Sequence, residues 1–378
     1  MRKNRFSLVL FIFGLLTIAA AQAQKPTSQT IIPASNPNIA YVGRVSFTNP
    51  ESPCFTYPGV QIRACFEGTS IAMRVKPNSG YFMVEIDNRE PFKVASLEND
   101  SVVQLADNLD DILHQITITL AYEGYQRRPE FRGFLLDAGK TIPQLPLLPK
   151  RKIEFIGNSI TCGYGTEVTD PNAPFKDETE NHYYTYAAAT ARALNAQSLV
   201  VARSGIGIYR NYNGPKTGNK DCMPAMYTQT LFTDTTEVWD FSRYTPDVVC
   251  VNLGTNDVST QPYDTGLLEQ GYRNFLKTLR GYYPKAKIVL LSGCMLKGKP
   301  LEDVQTALNR VAREANEAGD SQVYRFDLTP ADGSLGYGAS WHPSKAQQYK
   351  GADELVPFLR SITEIGRASC RERVSSPV

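Results

Sequence analysis

The chain has 378 residues, with 40 Lys and Arg against 38 Asp and Glu, a formal net charge of +2. Arg2, Lys3 and Arg5 hold three of those positive charges and residues 364–378 a net one more, so residues 24–363 stand at −2. A near-neutral body of this length is enough for two domains and carries no basic patch that would argue for nucleic acid.

The chain starts with a leader-like pattern. Phe6 to Ala21 is almost wholly apolar, and Ala21-Gln22-Ala23 is a small-x-small site. This predicts a secretory signal over 1–23, cut before Gln24. The apolar run falls short of the roughly 20 residues a spanning helix needs, and no second run of that length follows. A soluble chain, secreted or periplasmic, is expected, without stable membrane insertion. Residues 24–39 read as a flexible N-terminal segment.

Residues 40–148 alternate and turn often. "RVSFTN", "VQIRACFEG", "SIAMRVKP", "YFMVEID", "PFKVASL", "HQITITLAYE" and "FRGFLLDAG" are short runs rich in Val, Ile, Phe and Tyr, separated by Gly, Pro, Asn and Asp. Such spacing predicts a β-sandwich or barrel. Helical periodicity shows only near "LADNLDDILHQ". The segment "IPQLPLLPK" reads as an extended linker ending near Lys150.

From 150 to 363 the rhythm changes. "KIEFIG", "SLVVAR", "DVVCVNLG", "KIVLLSG" and "QVYRFDL" are buried-strand runs. Helical patterns separate most of them: "YYTYAAATARALNA", "LLEQGYRNFLKTLRGYY", "EDVQTALNRVAREANEAG" and a final "SKAQQYKGADELVPFLRSIT". Alternating strands and helices predict an α/β/α domain on a parallel sheet of about five strands, with functional loops at the strands' carboxyl ends. The stretch "EIGRASCRERVSSPV" can be back-translated into a sequencing-adapter sequence, so 364–378 is expected to be a non-native, disordered tail.

Six cysteines precede that tail. Cys54 and Cys65 flank a turn and could pair across a hairpin; Cys162 and Cys222 could also pair. Cys250 and Cys294 lie in strand runs and read as small apolar fillers. No spacing suggests a metal site, and the three histidines form no cluster.

Four loops carry candidate chemistry. Ser159 follows Gly157-Asn158 at the end of the first strand of the second half, where it is either an N-cap or a nucleophile. Gly205 follows the second strand, where a glycine lets a backbone N–H approach a ligand. Asn256 and Asp257 follow the third; an Asn amide can donate to an oxygen that becomes negative, and Asp257 suits holding the loop together. His342 lies in "SWHPS", after the last strand and before the last helix.

Gly157-Asn158-Ser159-Ile160-Thr161, the Gly205 loop, Gly254-Thr255-Asn256-Asp257 and Trp341-His342-Pro343 resemble the four blocks of the SGNH (GDSL-type) hydrolases. The β-rich half in front, "ITCGYG", "SGIGIYRN" and "SWHPS" resemble carbohydrate esterase family 2, whose members pair a jelly-roll domain with an SGNH domain. The resemblance implies a secreted, acetylxylan-esterase-like ester hydrolase acting on acetylated plant-type polysaccharide, xylan or glucomannan, without a cofactor and as a monomer. It implies Ser159 as nucleophile and His342 as base, with the N–H groups of Ser159 and Gly205 and the Asn256 amide as the oxyanion hole. Trp341, and more weakly Tyr209, would meet sugar.

Two positions depart from the usual pattern. Block one carries Asn158 in place of Asp, and the position three before His342 is Ala339 rather than Asp. Two before is Ser340, so a Ser159–His342 dyad is expected, its ring oriented by a main-chain carbonyl near Ser340; Asp257 is a weaker candidate for a third member. Two other readings stay open at this point: a non-catalytic carbohydrate-binding protein on a degenerate scaffold, and a lipid or acyl esterase of the same superfamily.

Overall fold

A computed structural model describes residues 29–372, with side chains through 363. The expected leader and the last residues of the expected tail lie outside that range. Nine strands build the front half: β1 (Thr30–Ile32), β2 (Ala40–Val42), β3 (Gln61–Gly68), β4 (Ile71–Val75), β5 (Gly80–Ile86), β6 (Phe92–Ser96), β7 (Val102–Ala106), β8 (Ile112–Leu120) and β9 (Phe131–Leu136). They form two antiparallel sheets, in the orders β1-β9-β4-β7 and β2-β3-β8-β5-β6. Period-2 patterning sets the register. Ile116 and Ile118 of β8 face inward opposite Ala64 and Ile62 of β3, and they pack against Met73, Phe134 and Leu136 of the other sheet.

Three expectations fail in this half. The segment 24–39 contains β1, hydrogen-bonded to β9 from Thr30 to Ile32. A three-residue strand is too short to show alternation. The helix-like stretch near "LADNLDDILHQ" is instead the end of β7, a turn and the start of β8. The six cysteines before residue 364 are all free thiols. Cys54 bridges to Ser46 and Glu130, whereas Cys65 lies opposite Gln115 and Gln144, so the two never meet.

The second half contains β10 (Arg151–Gly157), α1 (Ser159–Cys162), α2 (Tyr186–Ala193), β11 (Ala196–Ala202), α3 (Met223–Met226), β12 (Val248–Asn252), α4 (Thr265–Tyr282), β13 (Lys287–Ser292), α5 (Gly298–Glu317), β14 (Val323–Asp327) and α6 (Lys345–Glu372). Its five strands are all parallel, in the order β11-β10-β12-β13-β14. Adjacent residues of each strand feed opposite cores. Ile153 and Phe155 pack with Leu355 and Leu359 of α6, while Ile156 packs on the side of α4 and α5. The sequence of α4 explains its placement: Asp264 caps it by accepting from Leu267 N–H at 3.1 Å, and Leu268, Tyr272, Phe275 and Leu279 make one buried stripe. The final helix runs on through Glu372, into the stretch expected to be disordered. Extending a packed helix adds one hydrogen bond per residue and needs no new nucleus.

The two halves share a buried ionic contact. Arg44, from the front half, is fully buried with Glu154 of β10, their nearest atoms 3.4 Å apart. Its guanidinium donates to the carbonyls of Tyr227 and Gln229 and lies 4.9–5.8 Å from the ring centroids of Tyr57, Tyr227, Trp239 and Phe241. Tyr227 Oη donates to the other Glu154 oxygen at 3.0 Å. Removing one member strands the other's charge, so Arg44→Met is expected to cost about 3–5 kcal/mol in urea unfolding. Arg44→Met with Glu154→Leu should recover most of that loss.

Candidate active site

The sheet brings the candidate loops together. β10 runs between β11 and β12, and Gly157 lies in register with Ala202 on one side and Asn252 on the other. The loops leaving those three residues therefore start side by side. The chain after β10 returns through α2 on one face of the sheet, and the chain after β12 through α4 on the other. Ser159 thus stands at the topological switch point, where crevices form in open α/β sheets.

Ser159 opens α1. Asn158 is its N-cap, accepting from Ile160 N–H at 3.1 Å. The N–H of Ser159 is one of the helix-start donors that have no intrahelical acceptor. Gly157 is required by space: a Cβ there would come within 2.0 Å of Thr161 Oγ1. Gly205 has φ +77°, the left-handed region, where a glycine carries no Cβ penalty. Asn256 is buried, and its amide donates one hydrogen to the carbonyl of Ile206 at 2.8 Å. The second hydrogen of that nitrogen remains for another acceptor.

Asp257 is fully buried and receives the amides of Ile208, Tyr209 and Arg210 at 2.8–3.1 Å. It faces that loop and is not part of a relay to His342. Burial raises its carboxyl above the ordinary value, and the three amides pull it back down.

His342 Nε2 lies 2.8 Å from Ser159 Oγ. Nδ1 lies 3.1 Å from the carbonyl of Ala339 and 3.2 Å from that of Ser340. Carbonyls only accept, so Nδ1 carries the hydrogen and Nε2 keeps its lone pair for the Ser159 hydroxyl. Burial pushes the imidazole down to about 4, against the opposing pull of the two carbonyls, so the ring is neutral near pH 7. Tyr164 stacks on it, with centroids 4.0 Å apart and planes at 20°. The carbonyls reach Nδ1 because Ser340 and Trp341 both take left-handed backbone, φ 50° and 61°. A bulky residue there is an outlier of the kind found at functional sites. The Ser340 hydroxyl points elsewhere, 3.5 Å from Ala173 O.

Trp341 is 57% exposed beside Tyr337, so it is available at the rim rather than packed in the core. Tyr209 is not brought to the cleft: it is buried in the main core, its hydroxyl accepting from Asp264 N–H at 2.8 Å. The exposed tyrosine of that loop is Tyr212, whose N–H donates to Gly205 O at 2.8 Å. Sequence reasoning passed over Tyr212, and also Tyr164 and Glu123. The "ITCGYG" stretch held the only cue to Tyr164.

Tyr164, which stacks on the His342 ring, also walls a recess of about 230 Å³, together with Glu123, Tyr125 and Gln126 of the front half and with Phe175, Asp177 and Ser204. Glu123, Cys162 and Glu180 place ligand atoms within 4.8 Å of one another, and all three are buried. Burial raises both carboxyls, Glu180 well above its ordinary value, and the charge of Glu123 raises Glu180 further. The other two histidines are structural: His114 bonds Asp87 and the carbonyl of Asp110, and His182 bonds the carbonyl of Thr161.

A family profile described as "Carbohydrate esterase 2 N-terminal" matches residues 41–146, and one described as "GDSL-like Lipase/Acylhydrolase family" matches 155–348. An acetylxylan esterase / glucomannan deacetylase of Cellvibrio japonicus is 30% identical over 368 residues, 96% of this chain and 99% of its own length. The chain belongs to carbohydrate esterase family 2. Cellulase/esterase CelE of Acetivibrio thermocellus is 36% identical over 86% of this chain, which spans only 40% of CelE. The family two esterase of Clostridium thermocellum, solved with cellohexaose, superposes with a TM-score of 0.80 at 35% identity, covering 85% of this chain and 98% of that one. This family member therefore has a β-sandwich before an SGNH domain. No helix among its described residues is long and apolar enough to cross a membrane.

The His342 imidazole, the candidate base, is neutral until pH falls to about 4. The acid limb of kcat/KM on p-nitrophenyl acetate is accordingly expected near pH 4 rather than near the ordinary histidine value. Ser340→Asp should keep or raise activity, because the orienting contacts come from the main chain; a collapse with the fold intact would count against them.

Proposed function

We propose that this family 2 member is a carbohydrate O-acetyl esterase working through a Ser159–His342 dyad. The observation that carries the reading is the 2.8 Å contact from Ser159 Oγ to Nε2 of a ring whose Nδ1 is held by two carbonyls. His342 takes the Ser159 proton as Oγ attacks the ester carbonyl. The former carbonyl oxygen then becomes negative, facing the N–H groups of Ser159 and Gly205 and the remaining amide hydrogen of Asn256. The protonated imidazole gives its proton to the departing sugar oxygen, leaving acetyl on Ser159. Water, deprotonated by the same nitrogen, releases acetate.

The substrate, the acetyl donor, is an acetylated plant-type polysaccharide, xylan or glucomannan, as the names of the Cellvibrio relatives suggest for those proteins. Trp341 offers an exposed indole face one residue from the base, suited to the C–H surface of a pyranose. Tyr212, equally exposed beside Gly205, is a second such face.

Acetate release from acetylated xylan and glucomannan tests the reading. Wild type should release acetate and be labelled at Ser159 by a fluorophosphonate, and Ser159→Ala should do neither. A wild type that binds the polysaccharide yet neither hydrolyses nor labels would overturn it. Asn256→Ala is expected to lower kcat by about 10²–10³-fold. Activity on p-nitrophenyl octanoate should lie well below that on the acetate.

A further inference from the structure

The Gly205 loop is fastened from two sides. Asp257 and Asn256 hold its far part, at Ile206 and residues 208–210. Its near part is held from the other domain. Glu123 follows β8 of the sandwich, three residues past Leu120, and its Oε1 accepts the N–H of Ser204 at 2.6 Å. Ser204 immediately precedes Gly205, and its peptide unit sets the direction of the next N–H. Glu123 is itself anchored: its N–H donates to Glu180 Oε2 at 3.0 Å, and the preceding Ala121 carbonyl accepts from His182 N–H at 2.7 Å. Gly124 N–H donates to Thr56 O at 2.9 Å.

We propose that Glu123 is a positioning residue for ester hydrolysis: the sandwich domain aims the Gly205 N–H at the oxyanion through the Glu123–Ser204 bond. The proposal rests on Gly205 serving as an oxyanion donor. Glu123 touches neither substrate ester nor dyad; it holds the N–H of the Arg203–Ser204 peptide and acts through Ser204 on the Gly205 N–H that follows. Glu123 also forms part of the wall of the recess beside Tyr164, so a shift of this side chain and a shift of the loop are one event.

The fit is specific to an acceptor. The Ser204 N–H needs a lone pair, and Glu123 Oε1 supplies it. A glutamine keeps that acceptor in its amide oxygen. Alanine and methionine lack it, and methionine retains the volume.

The test compares wild type with Glu123→Gln, Glu123→Met and Glu123→Ala on p-nitrophenyl acetate, alongside thermal unfolding. Glu123→Gln is expected to stay close to wild type. Glu123→Met and Glu123→Ala should lose kcat by at least ~10-fold, approaching the 10²–10³-fold of a lost oxyanion donor, with KM little changed. Their fluorophosphonate labelling of Ser159 should slow in parallel, because that adduct also places an oxygen in the hole. Should the alanine variant fail to fold, the methionine variant carries the comparison. Folded Met or Ala variants with wild-type kcat and labelling rate would overturn the proposal, as would a Gln variant as impaired as Met. An inactive, unlabelled wild type would instead bring down the esterase reading itself, which keeps the two failures distinct.

Discussion

One buried carboxylate sets the shape of the catalytic edge. Asp257 sits at the end of β12, but the amides it collects belong to the loop after β11. A carboxylate sealed from water is costly unless its lone pairs are met, and three consecutive backbone donors meet them. The loop must curl around that charge. The curl turns Ile206 O toward the Asn256 amide and leaves Gly205 in left-handed backbone. Two candidate donors from different strands thus share one rigid unit. Their mutual placement is settled before any substrate arrives, which is what preorganised stabilisation of an oxyanion requires.

The dyad follows a different economy from a carboxylate-supported triad. A buried Asp behind His342 would stabilise imidazolium and raise the ring's basicity. Two carbonyl dipoles do less, and burial wins, so the imidazole is a weaker base. In exchange it is almost wholly in the neutral, competent form at neutral pH. The tautomer is still fixed, because only an Nδ1–H can satisfy the Ala339 and Ser340 carbonyls. The positive charge that appears on the ring during attack also meets the face of Tyr164 at 4.0 Å, a stacking that favours a cation. Left-handed backbone at Ser340 and Trp341 is the cost of turning both carbonyls inward, and it has the further effect of projecting the indole into solvent.

The sequence made some of this legible and hid the rest, for physical reasons. Buried parallel strands are near-continuous apolar runs, so β10 to β14 stood out, and polar residues just past their ends pointed to Ser159, Gly205, Asn256 and His342. Strand β1 did not stand out, because three residues cannot display a period. The two tyrosines of "GIYRNYNG" were indistinguishable in an irregular loop. The pull of Asp257 on residues 208–210 sends Tyr209 into the core and leaves Tyr212 outside, and that pull comes from 48 positions away. The carbonyls behind His342 were anticipated only because the usual Asp was missing. Glu123 gave no signal at all: its partner amide is 81 positions downstream, in another domain.

Those long-range contacts bear on what the sandwich is for. A flexible tether between two independent modules would need no buried charge at the junction. Here Arg44 is sealed among four aromatic rings and bonded to Glu154 in β10, an interior strand of the parallel sheet. Glu154 lies three residues before Gly157 on the strand that delivers Ser159. At the other end of the interface, Ala121 and Glu123 bond the segments carrying His182 and Ser204. The sandwich therefore grips the parallel sheet along the strand that presents the proposed nucleophile and again at the loop that presents a proposed oxyanion donor. Rotating one domain against the other would strand a guanidinium, a carboxylate and several amides away from water. That penalty makes the pair a single rigid body across the active site, so the cleft's shape is a joint property of both domains.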